Sequence, residues 1–382
     1  MEPMHPSVMV DNQVKDLGNV MREQTHIFTK TTHHLLTDEE FKSIHQVYTV
    51  GDGDSFHAAL ATEMAFKSIP KINCEPMSAM RFLEYGADYI PSKFPNDTLV
   101  VGISASGSTK RVAQALERIK KSHQNVITIA LSGNVEGRVG KEADRKFSVA
   151  LPDKGRSPGI RTYQASLMGL VLLAIRIAEA KGQINQSEVG LLTEEFGVIA
   201  DNIEKTAEAV DTPAKAAAKA LKDANYMVFV GSGPSFGTAT FSAAKVIEAA
   251  GVFSIAQDLE EWAHVENLAY PDNTPTFLIA PPGKGYWRAI ELAKAAKEKG
   301  RRVIAVVKED DQEVTKYTDH VLPVIGDVRE EFSPFIYHIA ADFFAAYLTM
   351  ELGRSLFQTD RPEVLERWAR MAAAQSQQSN NG

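Results

Sequence analysis

At 382 residues, 44% apolar and 24% charged, the chain has the composition of an ordinary globular protein and the length for two medium domains. A net charge of −8 and a pI near 5.8 give no reason to expect a nucleic-acid partner. One cysteine, Cys74, excludes an intrachain disulfide framework and fits a reducing, cytoplasmic setting.

In chain order, the first thirteen residues lack a basic segment followed by an apolar core, so no secretory signal is expected. Residues 1–40 read as an N-terminal helical segment, with one or two helices inside 15–45. A first subdomain spans 41–185, with strands at 47–50, 98–103, 125–131 and 146–151. Its helices fall at 55–66, 109–122, near 137–142 and from about 162 to 182. No apolar run approaches the ~18 residues of a membrane span. The longest, 167–178, is interrupted by Arg176 and reads as a buried helix. Residues 186–224 are Ala/Glu/Lys-rich and bridge the halves as helix, with turn signals at Asp211, Thr212 and Pro213. A second subdomain, 225–355, places strands at 226–230, 276–280, 302–307 and 320–324, and helices at 236–250, 286–299 and 334–352. The tail 356–382 ends in low-complexity sequence expected to lack order. Short apolar strands alternating with helices predict parallel sheets covered on both faces.

The halves repeat one another. Gly51, Gly53, Ser55 and Phe56 recur as Gly231, Gly233, Ser235 and Phe236, each pair 180 residues apart. Each set follows a β-branched and aromatic run and precedes an Ala-rich stretch. Two copies of one strand–glycine turn–helix unit predict an α/β fold of two duplicated, doubly wound, flavodoxin-like subdomains. Such turns let backbone amides approach an anionic or sugar ligand at a helix N-terminus.

The copies differ where chemistry would sit. In the first half, Ser104, Ser106, Gly107, Ser108 and Thr109 lie between strand and helix, forming an anion cradle or, more plainly, an N-cap. The second half has Pro281, Pro282 and Lys284 there. It carries instead Lys245 and Glu248, one helical turn apart in a small, apolar helix, followed by Glu261 and His264. Each has a bland reading: an i,i+3 surface pair for the first two, a polar loop for the others. His33 and His34, adjacent in a polar helix, read as solvated, and no metal-ligand spacing is evident.

Taken together these residues resemble the SIS (sugar isomerase) family in its tandem form, from about residue 40 to 355. The likeness extends to the isomerase half of glucosamine-6-phosphate synthase and to the fructosamine-6-phosphate deglycases. GDGDS resembles the family's Gly-Thr-Ser turn and SASGST its Ser-x-Ser-Gly-x-Thr phosphate loop. Lys245, Glu248 and His264 reproduce the spacing of the family's Lys, general-base Glu and His. The resemblance implies that Ser55, Ser104, Ser106 and Thr109 hold the anion and that Ile160 and Thr162 line the sugar. Three departures stand out. Glu261 is followed by Trp-Ala-His-Val-Glu, the end LERWARMAAAQ lacks the synthase's basic motif, and no Cys-led glutaminase segment is present. Glutamine-dependent amination is therefore not expected. Arg161 is an additional cation that could meet a second acidic group on the ligand.

The leading expectation is a metal-independent aldose–ketose isomerase, using neither metal nor cofactor, acting on a hexose with phosphate or sulfonate at carbon 6. Sulfoquinovose is one candidate. Glu248 would move the proton through an enediol, His264 would assist ring opening and Lys245 would orient Glu248 or stabilise the enediolate. Glu261 joins the substrate-binding set. The alternatives are a deglycase or deaminase of amino-sugar phosphates and a non-catalytic sugar-phosphate sensor. The expected partners are a small sugar and a second copy of the chain, with neither nucleic acid nor membrane. In that assembly His264 reaches the neighbour's site and Trp262 anchors the interface.

Overall fold

A computed structural model describes residues 3–370; the low-complexity stretch 372–382 lies outside the described residues. The first half forms a parallel sheet from β1 (Gln46–Gly51), β2 (Asn73–Ser78), β3 (Thr98–Ser104), β4 (Val126–Ser132) and β5 (Arg145–Ser148), ordered β2-β1-β3-β4-β5. The second repeats it with β6 (Tyr226–Val230), β7 (Phe253–Gln257), β8 (Pro275–Ala280), β9 (Arg302–Lys308) and β10 (His320–Val324), ordered β7-β6-β8-β9-β10. In such sheets the ligand crevice lies beyond the carboxyl ends of the strands where the order reverses. Here that point lies between β1 and β3, and between β6 and β8.

The helices are α1 (Leu17–His33), α2 (Asp38–Ser43), α3 (Asp54–Ser68), α4 (Ala79–Tyr85), α5 (Lys110–Ser122), α6 (Arg138–Glu142), α7 (Ile160–Ala180), α8 (Gln186–Leu221), α9 (Pro234–Ala250), α10 (Leu259–His264), α11 (Tyr286–Lys299) and α12 (Ile339–Glu351). Alternation along the strands sorts side chains into two layers. Leu99, Val101 and Ile103 of β3, with Phe277 and Ile279 of β8, face one core shared by both halves, which also holds α7, α9 and α12. Val100 faces a satellite core under α4 and α5, and Leu278 faces one under α10 and α11.

Several elements depart from expectation. The edge strands β2 and β7 were not foreseen. Pro76 and three polar residues weaken the strand signal of NCEPMS, and an edge tolerates such a proline. α8 runs unbroken through Pro213, because its buried stripe continues from Val210 to Ala214, Ala217 and Leu221 and packs on α12. An Asn185–Glu188 capping box starts it. The closing segment is a 3-10 turn, Glu330–Phe335, followed by α12. α7 is longer than the apolar run within it, 21 residues, and by length and composition could cross a membrane; 94% of its apolar window is buried inside the protein, and it is the core helix.

The halves meet where α3 crosses α9. A Cβ on Gly237 would lie 2.3 Å from the backbone nitrogen of Ala61, so only glycine permits this approach. That close crossing carries the first half's glycine turn to the charged face of α9.

Candidate active site at the junction of the two halves

The two glycine turns are conformational copies. Gly53 has φ 56° and ψ −131°, Gly233 φ 58° and ψ −131°, a region closed to side-chain-bearing residues. Each starts a helix, and Ser55 and Ser235 are buried in the first turns.

After β3, Ser104 and Thr109 pair through their hydroxyls at 2.8 Å, as do Ser106 and Ser108. Thr109 occupies the N-cap of α5 but its side chain makes no capping bond, so the loop is not an ordinary hydroxyl cap. Gly107, at φ +69°, is required because a Cβ there would sit 2.0 Å from the Asn134 carbonyl oxygen. Ser106, Ser108 and Thr109 remain accessible to a ligand, whereas Ser104 is buried. The corresponding loop of the second half is closed by the chain itself. Glu330 Oε1 accepts from the Lys284 amide at 3.1 Å, and a Cβ on Gly283 would collide with the same carboxylate. An internal anion thus occupies one loop of the pair and leaves the other available.

Beside the first loop lies a cavity of about 290 Å³, lined by Ala105, Gly133, Gly159, Arg161 and Thr162 and walled by residues 151–157. Ile160 is wholly buried as the first residue of α7, whereas Thr162 is exposed at the cavity. Arg161 is not a free cation awaiting a second acid on the ligand. Its Nε lies 2.8 Å from Asp16 Oδ2 and it donates to the Pro152 carbonyl at 2.8 Å. Lys154 also uses Asp16, at 2.8 Å; with Arg156 and Asp153 counted, the wall carries three cations against two carboxylates, a small positive bias that suits an anion. Arg156 stacks on Trp368 at 3.9 Å, which brings the C-terminal segment against this wall.

Of the chemistry-bearing groups, Asp54 stands at the cavity's edge, beside the lining residue Gly159. A Cβ on Gly159 would lie 2.7 Å from Asp54 Oδ2 and 3.0 Å from Thr162 Oγ1, so the glycine makes room for both. Asp54, from the first half's glycine turn, accepts from Lys245 Nζ at 2.7 Å; Glu248 accepts from the same nitrogen at 2.7 Å. Lys245 is fully buried, with its ammonium 4.7 Å from the Phe241 ring centre. Burial alone would strip its proton, but the two carboxylates hold its pKa above the usual lysine range. The carboxylates diverge. Burial works against ionised Asp54, yet Lys245 and His57 hold its pKa below the usual range, while burial, aided by Asp54's charge, pushes Glu248 up. Glu248 keeps solvent access.

Sequence reasoning missed Asp54 and His57. His57 Nδ1 lies 3.6 Å from Asp54 Oδ1, and neither atom has a hydrogen-bond partner. Behind them His338 bonds Asp342 at 2.6 Å and Gln164 at 3.2 Å, edge-on to Tyr163 and Phe241, which stack at 3.7 Å. Among the described residues no group of His, Cys, Asp and Glu converges as a metal site needs.

His264 is not brought to Glu248 within the chain. It ends α10 with its side chain 70% exposed, 3.3 Å from Glu260. Glu261 is exposed in the first turn of the same helix. Trp262, expected as an interface anchor, is instead 1% exposed, because α10 turns it into the satellite core beside Leu259 and Leu278.

Residues 40–176 and 220–352 each match the SIS domain family. The chain is 24% identical over 330 residues to the isomerizing glutamine–fructose-6-phosphate aminotransferase of Clostridium tetani, covering 86% of this chain and 52% of that protein. It thus spans about half the length of the curated relatives it matches. Among solved structures, tagatose-6-phosphate ketose/aldose isomerase from Escherichia coli aligns with TM-score 0.66 at 15% identity, over 92% of this chain and 93% of that one. Glucosamine-6-phosphate deaminase from Thermotoga maritima aligns with TM-score 0.65 at 21% identity, over 89% and 96%. Likeness so even to an isomerase and a deaminase speaks for the fold and leaves the chemistry to the site.

Proposed function

The chain belongs to the SIS domain family, and from that premise we propose that it interconverts an aldose and a ketose on a hexose anionic at carbon 6. The observation that carries this reading is one carboxylate, Glu248, with solvent access and a raised pKa, beside a fixed cation that Asp54 links to the edge of the cavity at Gly159. The loop of Ser104–Thr109 would hold the carbon-6 anion, and Thr162 and the 159–161 backbone the sugar. Carbons 1 and 2 would then lie at Glu248, which takes the proton from one and returns it to the other. Lys245 keeps its charge throughout, so it favours the enediolate electrostatically without exchanging a proton.

Ser106→Ala and Thr109→Ala are each expected to weaken binding by roughly 1–3 kcal/mol, as a rise in KM. Glucose 6-phosphate against glucose is the comparison that checks this; equal losses on both sugars would remove the anion site. The arrangement also sets a pH dependence. Glu248 must be unprotonated to act, and burial holds its proton to higher pH, so kcat/KM should fall as pH drops through a midpoint above the usual carboxylate range. A midpoint at or below the ordinary glutamate value would contradict that assignment.

The exposed position of His264 suits a site completed by a second copy, and Val265, Leu268 and Tyr270 beside it are also exposed. Glu248→Gln and His264→Ala chains, mixed after dissociation, should then regain part of the activity as heterodimers. An active monomer would refute this.

A second reading, release of an amine from carbon 1 or 2, is favoured by one observation: two carboxylates face a single ammonium. The surplus negative charge suits a cationic amine. Ammonia or amino-acid release from glucosamine 6-phosphate or a fructosamine 6-phosphate is its test.

A further inference from the structure

The duplication lets the chain serve as its own control. At the places that correspond to Asp54, Lys245 and Glu248, the other pair of glycine turn and helix carries Pro234, Ala65 and Ser68. The acid, the cation and the second acid are therefore present as a set on one side of the pseudo-symmetric junction and absent as a set on the other. Asp54 is separated from Lys245 by 191 positions and reaches it only through the close crossing of α3 on α9.

A buried ammonium has three protons to place. Lys245 directs hydrogen bonds to Asp54 and Glu248 at equal 2.7 Å distances, and a third contact is the face of Phe241. One carboxylate would suffice to neutralise it, so the second has another consequence. With Glu248 as the sole partner, the whole field of the ammonium would fall on that carboxylate and stabilise its charged form, making it a poor proton acceptor. We infer that Asp54 is a positioning residue that divides Lys245 between two carboxylates and so leaves Glu248 only partly neutralised and able to accept a proton. This rests on the reading of Glu248 as the base.

The pair then has unequal duties. Asp54, held ionised by Lys245 and His57 against its burial, is the fixed counter-charge; Glu248, pushed the other way, is the group that exchanges its proton. The ionisable groups around Glu248 are few. Its own helix supplies Lys245, and α3 supplies Asp54 and His57. α12 supplies Asp342, paired with His338, behind Phe241 and Tyr163. The turn Glu330–Phe335 adds Glu330, bound to the Lys284 amide, and Glu331, which pairs with Arg329 at 3.5 Å. Arg354 donates to the Ala250 carbonyl at 2.5 Å, and β7 carries no ionisable side chain. Among these, Asp54 is the carboxylate that shares the Lys245 ammonium with Glu248.

The test reads Glu248 directly and needs no substrate. The full chain is labelled with 13C at the glutamate carboxyl carbons, and the Glu248 resonance is assigned by its loss in Glu248→Gln and titrated. In Asp54→Asn the midpoint should fall by about one pH unit, since a like charge is removed and Lys245 turns wholly to Glu248. Asp54→Glu should restore it towards the starting value. If Asp54→Asn does not fold, Asp54→Ser, a smaller uncharged polar residue, takes its place. An unchanged or raised midpoint in the variant that folds overturns the inference. A parallel kcat/KM profile on fructose 6-phosphate separates this from the function: a lowered NMR midpoint with an unmoved acid limb upholds the role of Asp54 and overturns Glu248 as base.

Discussion

Glu248→Gln is expected to lower kcat by about 10²–10⁴-fold, the range removed with a positioned general base, while hexose 6-phosphate binding changes little. The amide has nearly the shape of the carboxylate and can still receive a hydrogen bond from Lys245, so the fold should hold. What it cannot do is accept a proton from carbon. The anion loop lies on another element, after β3, and the substitution leaves its hydroxyl pairs untouched. Steady-state kinetics with calorimetric binding of fructose 6-phosphate checks both halves of the expectation. Near-wild-type kcat would remove Glu248 from the mechanism, and a parallel loss of binding would assign it to recognition instead.

Lys245→Met should be the most destabilising single change at the site. The side chain is fully buried and joins carboxylates from both halves of the chain. Removing one member of a buried ionic cluster typically costs 3–5 kcal/mol, because the remaining charges lose their partner. Asp54 and Glu248 keep some solvent access, which favours the low end, about 3 kcal/mol. Part of that loss should return as pH falls: without the ammonium both carboxylates protonate more readily, and protonation removes their repulsion. Chemical denaturation at neutral and mildly acidic pH measures both effects. A loss below about 0.5 kcal/mol, the ordinary size for an uninvolved surface position, would mean that Lys245 does not hold the halves together.

Much of this architecture was legible in the sequence because local chemistry and tertiary packing agree there. The two glycine turns require glycine for their backbone angles, and the apolar strands β3 and β8 are buried throughout. Recognition failed where tertiary context overrode local signals. Pro213 reads as a stop, yet the stripe packed on α12 carries α8 through it. Trp262 reads as exposed among acidic neighbours, yet the repeat places Phe82, itself fully buried, at its counterpart. That internal comparison was the available signal. The site divides the same way. Lys245 and Glu248 share a helix face and their spacing is visible along the chain. Asp54 looks like an ordinary acidic residue in a first helical turn, favoured there by the helix dipole. Its attachment to Lys245 arises only from the crossing at Ala61 and Gly237. Arg161 failed in the opposite sense, since a cation that looked unpartnered is bound to Asp16 near the other end of the first half.

The central claim is that a carboxylate carries a proton between carbons 1 and 2 of a hexose whose carbon-6 anion sits in the Ser104–Thr109 loop. The most direct test is turnover of fructose 6-phosphate in deuterium oxide, followed by NMR. The account predicts aldose product carrying deuterium at carbon 2 and deuterium entering carbon 1 of the recovered ketose, both lost in Glu248→Gln. No deuterium at carbon 2 of the aldose or carbon 1 of the ketose after equilibration through many turnovers would contradict it, because a proton held on a carboxylate, even one returned faster than it exchanges in a single turnover, meets solvent over repeated cycles.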